Sequence, residues 1–316
     1  MSEYLPPMRY RVSAAEDGLP LKSIVRGKMG VSRRLMTRLK ASEQGLTING
    51  VRAWASDIVR AGDLVEVRME REAPDNIAPE PLPLDILYED GDLLAVAKPA
   101  GMIVHPTRGH YGGTLANAVI HHWRSKGESF GFHPVHRLDR DTSGVLLIAK
   151  NPFAHQQIAR QLERGEVIKT YAAFVHGNPV PPEGTVSAPI GRDPVNPNLR
   201  AVKEDGSPAV TRYETVRTWR EAAQLRIRLE TGRTHQIRVH MKHIGCPLIG
   251  DAMYGPDEMT EARTRIHALL SRQALHAEEL VFVHPVSRSL LRLTAPLPED
   301  LVRLAQQIEG MDRRKE

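Results

Sequence analysis

The amino-acid sequence predicts an α+β fold in two parts, a small α/β module at residues 9–69 and a larger domain at residues 85–306. Segments typical of strands outnumber those typical of helices, and the two do not alternate regularly, which disfavours a doubly wound parallel sheet. Residues 70–84 contain four prolines and little periodicity, so they are expected to form an extended linker.

The N-terminal module is expected to combine helices and strands. Ser32 is a suitable cap for a helix, and the pair Asn49-Gly50 is typical of a tight turn after a strand. The predicted elements, in chain order, are helices at 21–28 and 33–40 and strands at 46–48 and 63–67.

The larger domain begins with a strong hairpin signal, Asp90-Gly91-Asp92, between two apolar runs. Asn151 followed by Pro152 is typical of the start of a helix. The further predicted elements are strands at 145–149, 171–175, 212–218, 224–229 and 279–283, and helices at 151–162, at 234–244 and from about 298.

The distribution of charge indicates a polyanionic partner. The formal net charge is +5, and residues 22–40 hold seven Lys and Arg side chains with no Asp or Glu among them. On the predicted second helix of the module, Arg34 and Arg38 stand one turn apart, on a different face from the apolar side chains Leu35, Met36 and Leu39.

Several classes of protein are disfavoured by the composition. No stretch approaches the roughly 20 apolar residues of a membrane span, and the N-terminus lacks the apolar core of a secretory signal. A single cysteine, Cys246, is typical of a reducing compartment. The expected location is therefore the cytoplasm.

Two polar clusters are candidates for the functional site. Residues 136–144 (HRLDRDTSG) precede a buried strand, and residues 232–240 (GRTHQIRVH) follow a strand and open a helix. Composition alone leaves two interpretations open for each. The carboxylates of Asp139 and Asp141 belong either to a site or to local turns, and the second cluster is either a binding segment or a basic surface helix.

Taken together, four ordered segments resemble a known family. His136-Arg137-Leu138-Asp139 with Thr142-Ser143-Gly144 resembles the HRLD-x-x-[ST]-[ST]-G signature of the RluA family of pseudouridine synthases. The other three segments are similar to that family's KPAG…VHP, K-x-Y and GRTHQ[IL]R-x-H motifs, at Lys98-Pro99-Ala100-Gly101 with Val104-His105-Pro106, at Lys169-Thr170-Tyr171, and at residues 232–240. The resemblance covers residues 86–296.

The N-terminal part resembles the S-four type of RNA-binding module, which many members of this family carry. The resembling features are the basic helix pair, the Leu46-Thr47-Ile48-Asn49-Gly50-Val51 strand and the Gly62-Asp63 turn. This resemblance implies that Arg34 and Arg38 contact RNA.

The family resemblance implies a mixed, mainly antiparallel sheet with flanking helices and a cofactor-free isomerisation of uridine. It makes Asp139 the catalytic carboxylate, places Tyr171 against the uracil ring, and gives Asp139 an ion pair with Arg233. It assigns extrusion of the target base to Arg137. The remaining residues expected to contact substrate or RNA are His136, Lys98 and Ile237. No metal is expected, and the enzyme is expected to be a monomer.

Other interpretations of the sequence remain open. A non-catalytic RNA-binding or ribosome-assembly factor would share the basic module but would not need Asp139, Tyr171 and Arg233 together. A nuclease or RNA glycosidase would need a second acid or a metal, and the histidines show no regular metal-binding spacing. Large-subunit ribosomal RNA is the expected substrate, with transfer RNA as the alternative.

Overall fold

The protein is seen in a computed structural model that describes residues 4–71 and 77–313. Its strands are β1 (Met8–Arg11), β2 (Leu46–Ile48), β3 (Val51–Arg52), β4 (Leu64–Val67), β5 (Ile86–Glu89), β6 (Leu93–Lys98), β7 (His133–Pro134), β8 (Ser143–Ala149), β9 (Ile168–His176), β10 (Glu183–Ser187), β11 (Ile190–Arg192), β12 (Arg200–Val202), β13 (Val210–Thr218), β14 (Ala222–Leu229), β15 (Leu275–Val283) and β16 (Leu290–Thr294). Its α-helices are α1 (Leu21–Ser23), α2 (Arg33–Ala41), α3 (Leu115–Ser125), α4 (Pro152–Glu163), α5 (Gln236–His243), α6 (Glu261–His267) and α7 (Glu299–Arg313).

The first four strands form a sheet of their own, in the antiparallel order β1-β4-β2-β3. Helix α2 begins as predicted, because the Ser32 hydroxyl accepts a hydrogen bond from Leu35 N at 3.1 Å. The predicted helix at 21–28 is present over those residues, but its hydrogen bonding changes after Ser23. After one α-helical turn, residues Ile24–Lys28 wind as a π-helix, and the backbone then turns at Gly30.

A ten-stranded sheet forms the rest of the architecture. Eight strands lie in the order β10-β13-β14-β9-β15-β8-β6-β5, while β16 pairs with β15 and β7 with β8. Within the described residues, β8 and β15 are the one parallel pair of this sheet. The α+β class and the mixed, mainly antiparallel sheet are therefore confirmed.

The parallel pairing of β8 and β15 depends on Gly144. This residue has a φ of +119°, and a Cβ placed on it would lie 2.1 Å from the carbonyl oxygen of Ala277. A side chain cannot be accommodated there without separating the two strands. Glycine thus allows β8 to begin directly after the Asp139 loop.

Helices cover both faces of the large sheet. On one face, Ala154 and Ile158 of α4 pack with Leu147 and Phe282. On the other, Trp123 of α3 joins the core that contains Leu146. Helix α3 was not predicted from the sequence, although the Thr114 hydroxyl caps it by accepting from Asn117 N.

The predicted linker, residues 70–84, is only partly within the described residues, because 72–76 lie outside them. Residues 77–84 form neither helix nor strand, as expected of an extended segment. They are nevertheless anchored to α3, since Asn117 Nδ2 donates to Ala78 O at 2.7 Å and Glu80 N donates to Asn117 O at 3.1 Å.

None of the helices in residues 4–71 and 77–313 has both the length and the apolar character needed to cross a lipid bilayer.

Candidate active site

The two polar clusters found in the sequence face each other across one cavity of about 550 Å³. One wall is the loop between β7 and β8, which carries Asp139. The opposite wall is the segment from the end of β14 to the start of α5, and Tyr171 of β9 also lines the cavity. Because these walls come from residues about 100 positions apart, the cavity exists only in the folded chain.

The central ion pair of the cavity joins Asp139 to Arg238. Nη1 of Arg238 donates to Oδ2 of Asp139 at 3.1 Å. The same guanidinium also binds Asp251 in a bidentate manner, with Nε and Nη2 at 2.7 and 2.8 Å from the two carboxylate oxygens. One cation therefore serves two carboxylates, and bidentate pairing fixes its orientation.

Asp251 is itself held in place by the backbone. Its side chain is fully buried, and its Oδ1 accepts hydrogen bonds from the amides of Met253 and Tyr254. The Tyr254 ring lies under Arg238, 4.8 Å from the guanidinium carbon to the ring centroid. Burial is the largest single effect and opposes the charge of Arg238, but the hydrogen bonds and charges of Asp251 and Asp139 together raise the pKa of the guanidinium.

The expectation that Asp139 pairs with Arg233 is wrong in this structure, where Arg238 is the partner. Arg233 lines the cavity, but its Nε donates to Pro208 O at 3.0 Å. The reason is the backbone at His235, which has a φ of +58° and delays the start of the predicted helix from 234 to Gln236. Arg233 thus lies in the preceding turn, whereas Arg238 lies on the helix and points inward.

Tyr171 is buried beside the catalytic candidate Asp139. Its side chain lines the cavity, and the residue is only 7% exposed. Burial, and next the charge of Asp139, raise the pKa of the phenol. The hydroxyl is therefore protonated at neutral pH, when a tyrosine's ordinary pKa is already near 10.

His136 lies in the cavity wall as a neutral ring. Burial, and next the charge of Lys169, lower the pKa of His136 to about 4. Its Nε2 accepts a hydrogen bond from Leu147 N at 3.3 Å. This contact gives His136 a role in anchoring the loop to β8, in place of the ionic RNA contact that a protonated histidine would make.

Lys98, which was expected to contact substrate or RNA, is a buried side chain. It is 1% exposed, and its Nζ donates to the carbonyl oxygens of Pro99, Met102 and Arg140 at 2.8 to 2.9 Å. Burial lowers the pKa of Lys98 to about 7, although three acceptors match the three protons of the ammonium form. Lys98 thereby fastens the end of β6 to the loop that carries Asp139.

The other expected contact residues occupy two places. Arg137 is exposed at the mouth of the cavity, with Nη2 3.5 Å from the Thr234 hydroxyl, and Ile237 supplies apolar lining. Arg34 and Arg38 lie on the exposed face of α2, outside this cavity.

Two histidines outside the cavity, His240 and His284, lie in buried environments. The His240 ring is hydrogen bonded at both nitrogens, with Nδ1 2.8 Å from the Thr211 hydroxyl and Nε2 2.9 Å from Ala188 O. One group, Asp90, Asp92 and His284, has the proximity of metal ligands. Nδ1 of His284 accepts hydrogen bonds from the amides of Val286 and Ser287, and its Nε2 lies 2.9 Å from Oδ2 of Asp90.

Sequence reasoning missed Arg238 as the partner of Asp139, and it missed Asp251 and Tyr254 as the groups that hold Arg238. A signal was present in the pattern. Arg238 stands between Ile237 and Val239 and is buried with them, and a buried arginine requires a carboxylate partner.

The sequence also matches known proteins. Residues 92–243 match a family model described as RNA pseudouridylate synthase. The Bacillus subtilis protein YjbO, described as an uncharacterized RNA pseudouridine synthase, is 41% identical over 279 residues, which cover 88% of this chain and 95% of YjbO. The ribosomal large subunit pseudouridine synthase D of Escherichia coli K12 is 39% identical over 270 residues, which cover 84% of this chain and 82% of that protein.

Solved structures share the fold. Human RNA pseudouridylate synthase domain containing 4 superposes with a TM-score of 0.59 at 24% identity, covering 71% of this chain and 93% of the human one. The human domain containing 1 gives a TM-score of 0.55 at 23% identity, covering 75% and 98%.

An α+β fold with a carboxylate, a guanidinium and a phenol in one cleft is the architecture of an RNA-modifying isomerase. The extent and identity of the matches show the family: this chain belongs to the RluA family of RNA pseudouridine synthases.

Proposed function

We propose that this enzyme converts specific uridines of large-subunit ribosomal RNA to pseudouridine, in the cytoplasm, as a monomer and without a cofactor. The observation that carries the proposal is the Asp139–Arg238 pair beside Tyr171 in a single cleft. The ribosomal target is supported by relatives from Escherichia coli and Xanthomonas campestris whose names specify the ribosomal large subunit.

Asp139 is the proposed catalytic carboxylate. The reaction breaks the bond between uracil N1 and the anomeric carbon, rotates the base, and joins C5 to that carbon. C5 loses a proton and N1 gains one, so no redox change occurs. An ionised carboxylate serves either route open to it, attack at the sugar or attack at the ring. Arg238 is the proposed positive partner of Asp139, with Nη1 at 3.1 Å from Oδ2.

Tyr171 is proposed to lie against the uracil ring. Its burial excludes water from one side of the base, and Ile237 provides a second apolar surface. Because the phenol is protonated at neutral pH, it can orient the base but cannot itself accept the C5 proton as a phenolate.

Extrusion of the base is proposed to involve Arg137 and Arg233. Both lie at the cavity and carry planar guanidinium groups that can stack on a base or bind a phosphate. The cavity of about 550 Å³ lies within the range of roughly 300–1,000 Å³ typical of small-molecule sites. It is thus large enough to receive an extruded nucleotide.

We also propose a division of the chain into two functional domains and a linker. Residues 9–69 are proposed to form an S-four-like RNA-binding module, 70–84 a linker, and 85–306 the catalytic domain. The separate four-stranded sheet and the exposed basic face of α2 support this division. A non-catalytic RNA-binding role is disfavoured by the family and by the site.

The test uses Asp139→Asn, with Asp141→Asn as a matched control. Asp141 lies two residues away, and its carboxylate makes no hydrogen bond or ion pair within residues 4–71 and 77–313. Pseudouridine maps of total RNA from cells lacking the gene, complemented with each variant, should show the modification restored by D141N and absent with D139N. Restoration by D139N would remove Asp139 from the mechanism, and loss of modification in transfer RNA alone would overturn the ribosomal target.

A further inference from the structure

A second polar cavity lies on the far side of helix α4 from the catalytic cleft. Its volume is about 260 Å³, and three of its lining residues are arginines: Arg160, Arg164 and Arg288. Glu166 is the one carboxylate in the lining, 3.8 Å from Arg164. The cavity therefore presents three guanidinium groups against one carboxylate, an excess of positive charge suited to a polyanion.

The floor of this cavity is rigid. Gln161 is hydrogen bonded to the backbone of Val283 in both directions, with Nε2 donating to Val283 O at 2.8 Å and Oε1 accepting from Val283 N at 2.9 Å. With its amide satisfied in this way, Gln161 leaves the arginines at the rim as the groups available to an incoming anion.

The side chain of Arg160 and the backbone of Arg288 are each held by a hydrogen bond. Nη1 of Arg160 donates at 2.8 Å to the carbonyl oxygen of Gly30, which also accepts from Gln156 and Gln157. Arg288 adopts a left-handed φ of +63° in a tight turn, where its amide donates to His284 O at 3.1 Å. A backbone held in this uncommon conformation by surrounding hydrogen bonds is frequent at ligand-binding sites.

The cavity lies between the basic N-terminal module and the catalytic cleft. Gly30 stands just before α2, so Arg160 contacts the module directly. Leu162 and Glu163 of α4 line the catalytic cleft, whereas Arg160 and Arg164 line the second cavity. The last turn of α4 is thus the wall shared by the two cavities.

We infer that this cavity binds the phosphate backbone of the RNA substrate as the strand passes between the N-terminal module and the catalytic cleft. The inference rests on the proposed function for the identity of the ligand. Guanidinium groups bind phosphate oxygens through paired N–H donors, and such contacts position a nucleic acid without reading its sequence. Arg164 and Arg288 are the proposed contacts, and Arg160 fixes the cavity to the module.

The test measures binding of a large-subunit ribosomal RNA transcript between 50 and 200 mM KCl, with the double variant Arg164→Gln and Arg288→Gln. Each lost phosphate contact lowers the slope of log affinity against log salt by roughly 0.7–0.9, so the variant should lose about 1.5 from the slope. Between 50 and 200 mM KCl, RNA affinity falls for both proteins, and the factor by which it falls should be about eight times smaller for the variant than for the wild type.

The control is the double variant Arg265→Gln and Arg303→Gln. Both arginines are exposed and pair with a glutamate one helical turn earlier, on α6 and α7. The wild-type slope is expected for the control. Thermal melting of both double variants should match the wild type, because all four side chains are largely exposed.

The outcomes separate this inference from the proposed function. Equal slopes for the wild type and the Arg164/Arg288 variant, in an enzyme that forms pseudouridine, would overturn the phosphate site alone. A reduced slope for the Arg164/Arg288 variant, combined with no pseudouridine formation by the wild type, would support the phosphate site and reject the proposed function. Equal slopes combined with an inorganic phosphate-induced rise in melting temperature in the wild type alone would assign the cavity to a small anion and overturn the RNA site.

Discussion

Arg238 reaches Asp139 with one guanidinium nitrogen, at 3.1 Å, while its other two nitrogens hold Asp251. The arginine side chain is 5% exposed, that of Asp139 28% and that of Asp251 0%. Asp139 is therefore the end of this network that is open to substrate. Asp139 is bound by a partner whose orientation Asp251 fixes.

Replacing Arg238 should affect the stability of the protein far more than replacing Arg233. Arg238→Gln leaves the buried Asp251 charge unpaired, so we expect a loss of about 3 kcal/mol or more in the free energy of unfolding and no pseudouridine formation. Arg233→Gln, on an exposed residue, should unfold like the wild type and weaken RNA binding. Urea unfolding with single-turnover assays would check this, and equal stabilities for the two variants would contradict it.

Asp251 is a positioning residue, because it acts on substrate only through Arg238. Asp251→Asn keeps the side chain's size but removes one charged acceptor of the bidentate pair. Misplacement of a catalytic group by about 1 Å can cost on the order of 100-fold in rate. We expect kcat to fall 10- to 100-fold with RNA affinity within twofold of wild type. A parallel loss of RNA affinity would instead indicate a general structural role.

The basic face of α2 should contribute electrostatically to RNA binding. Arg34→Gln with Arg38→Gln is expected to lower the salt slope of RNA affinity by roughly 1.4–1.8, at about 0.7–0.9 per phosphate contact. The fold should be unaffected, because the buried side of the helix is formed by Leu35, Met36 and Leu39. The Arg265/Arg303 double variant again serves as control. A wild-type slope in the α2 variant would show that RNA approaches elsewhere.

Acid should destabilise the protein partly through His176. Burial, and next the charges of His267 and Arg263, lower the pKa of His176 to about 4 from an ordinary value of 6.5. Below pH 6.5 His176 becomes protonated in the unfolded chain, whereas in the folded chain it becomes protonated only near pH 4. The free energy of unfolding should therefore fall by about 3 kcal/mol across this window, at 1.36 kcal/mol per pKa unit.

His176→Gln should reduce that pH dependence, as measured by urea unfolding at pH 7.5, 5.5 and 4.5. The control is His243→Gln, which removes an exposed imidazole from the end of α5 and should retain the wild-type dependence. If H176Q and H243Q lose stability equally between pH 6.5 and 4, His176 is not a source of the effect.

Gly144 should tolerate no side chain. Gly144→Ala would place a Cβ 2.1 Å from Ala277 O at a φ of +119°, so the β8–β15 pairing must open. We expect a loss of more than about 3 kcal/mol in the free energy of unfolding, as for other strained core changes. Gly91→Ala is the control, since a Cβ there meets no atom within 4 Å. A melting temperature for G144A equal to that of G91A would contradict the prediction.

Much of the fold was predictable because its signals are local. The hairpin around Asp90-Gly91-Asp92, the cap Ser32 and the helix that opens at Asn151-Pro152 all occur as predicted. The start of α5 was predicted two residues too early. No local pattern predicts the left-handed backbone of His235. Its ring contacts the Tyr254 hydroxyl through Nδ1 at 2.8 Å, and Tyr254 lies 19 residues further along the chain.

The sequence by itself determined which two segments line the cavity, because the polar residues of each cluster are neighbours in the chain. It also determined the family, through four motifs in order. Only the tertiary structure decided that Arg238, and not Arg233, reaches Asp139, and that Lys98 is enclosed by three carbonyl oxygens. Such pairings depend on helix phase and on burial among distant strands, which sequence separation does not encode.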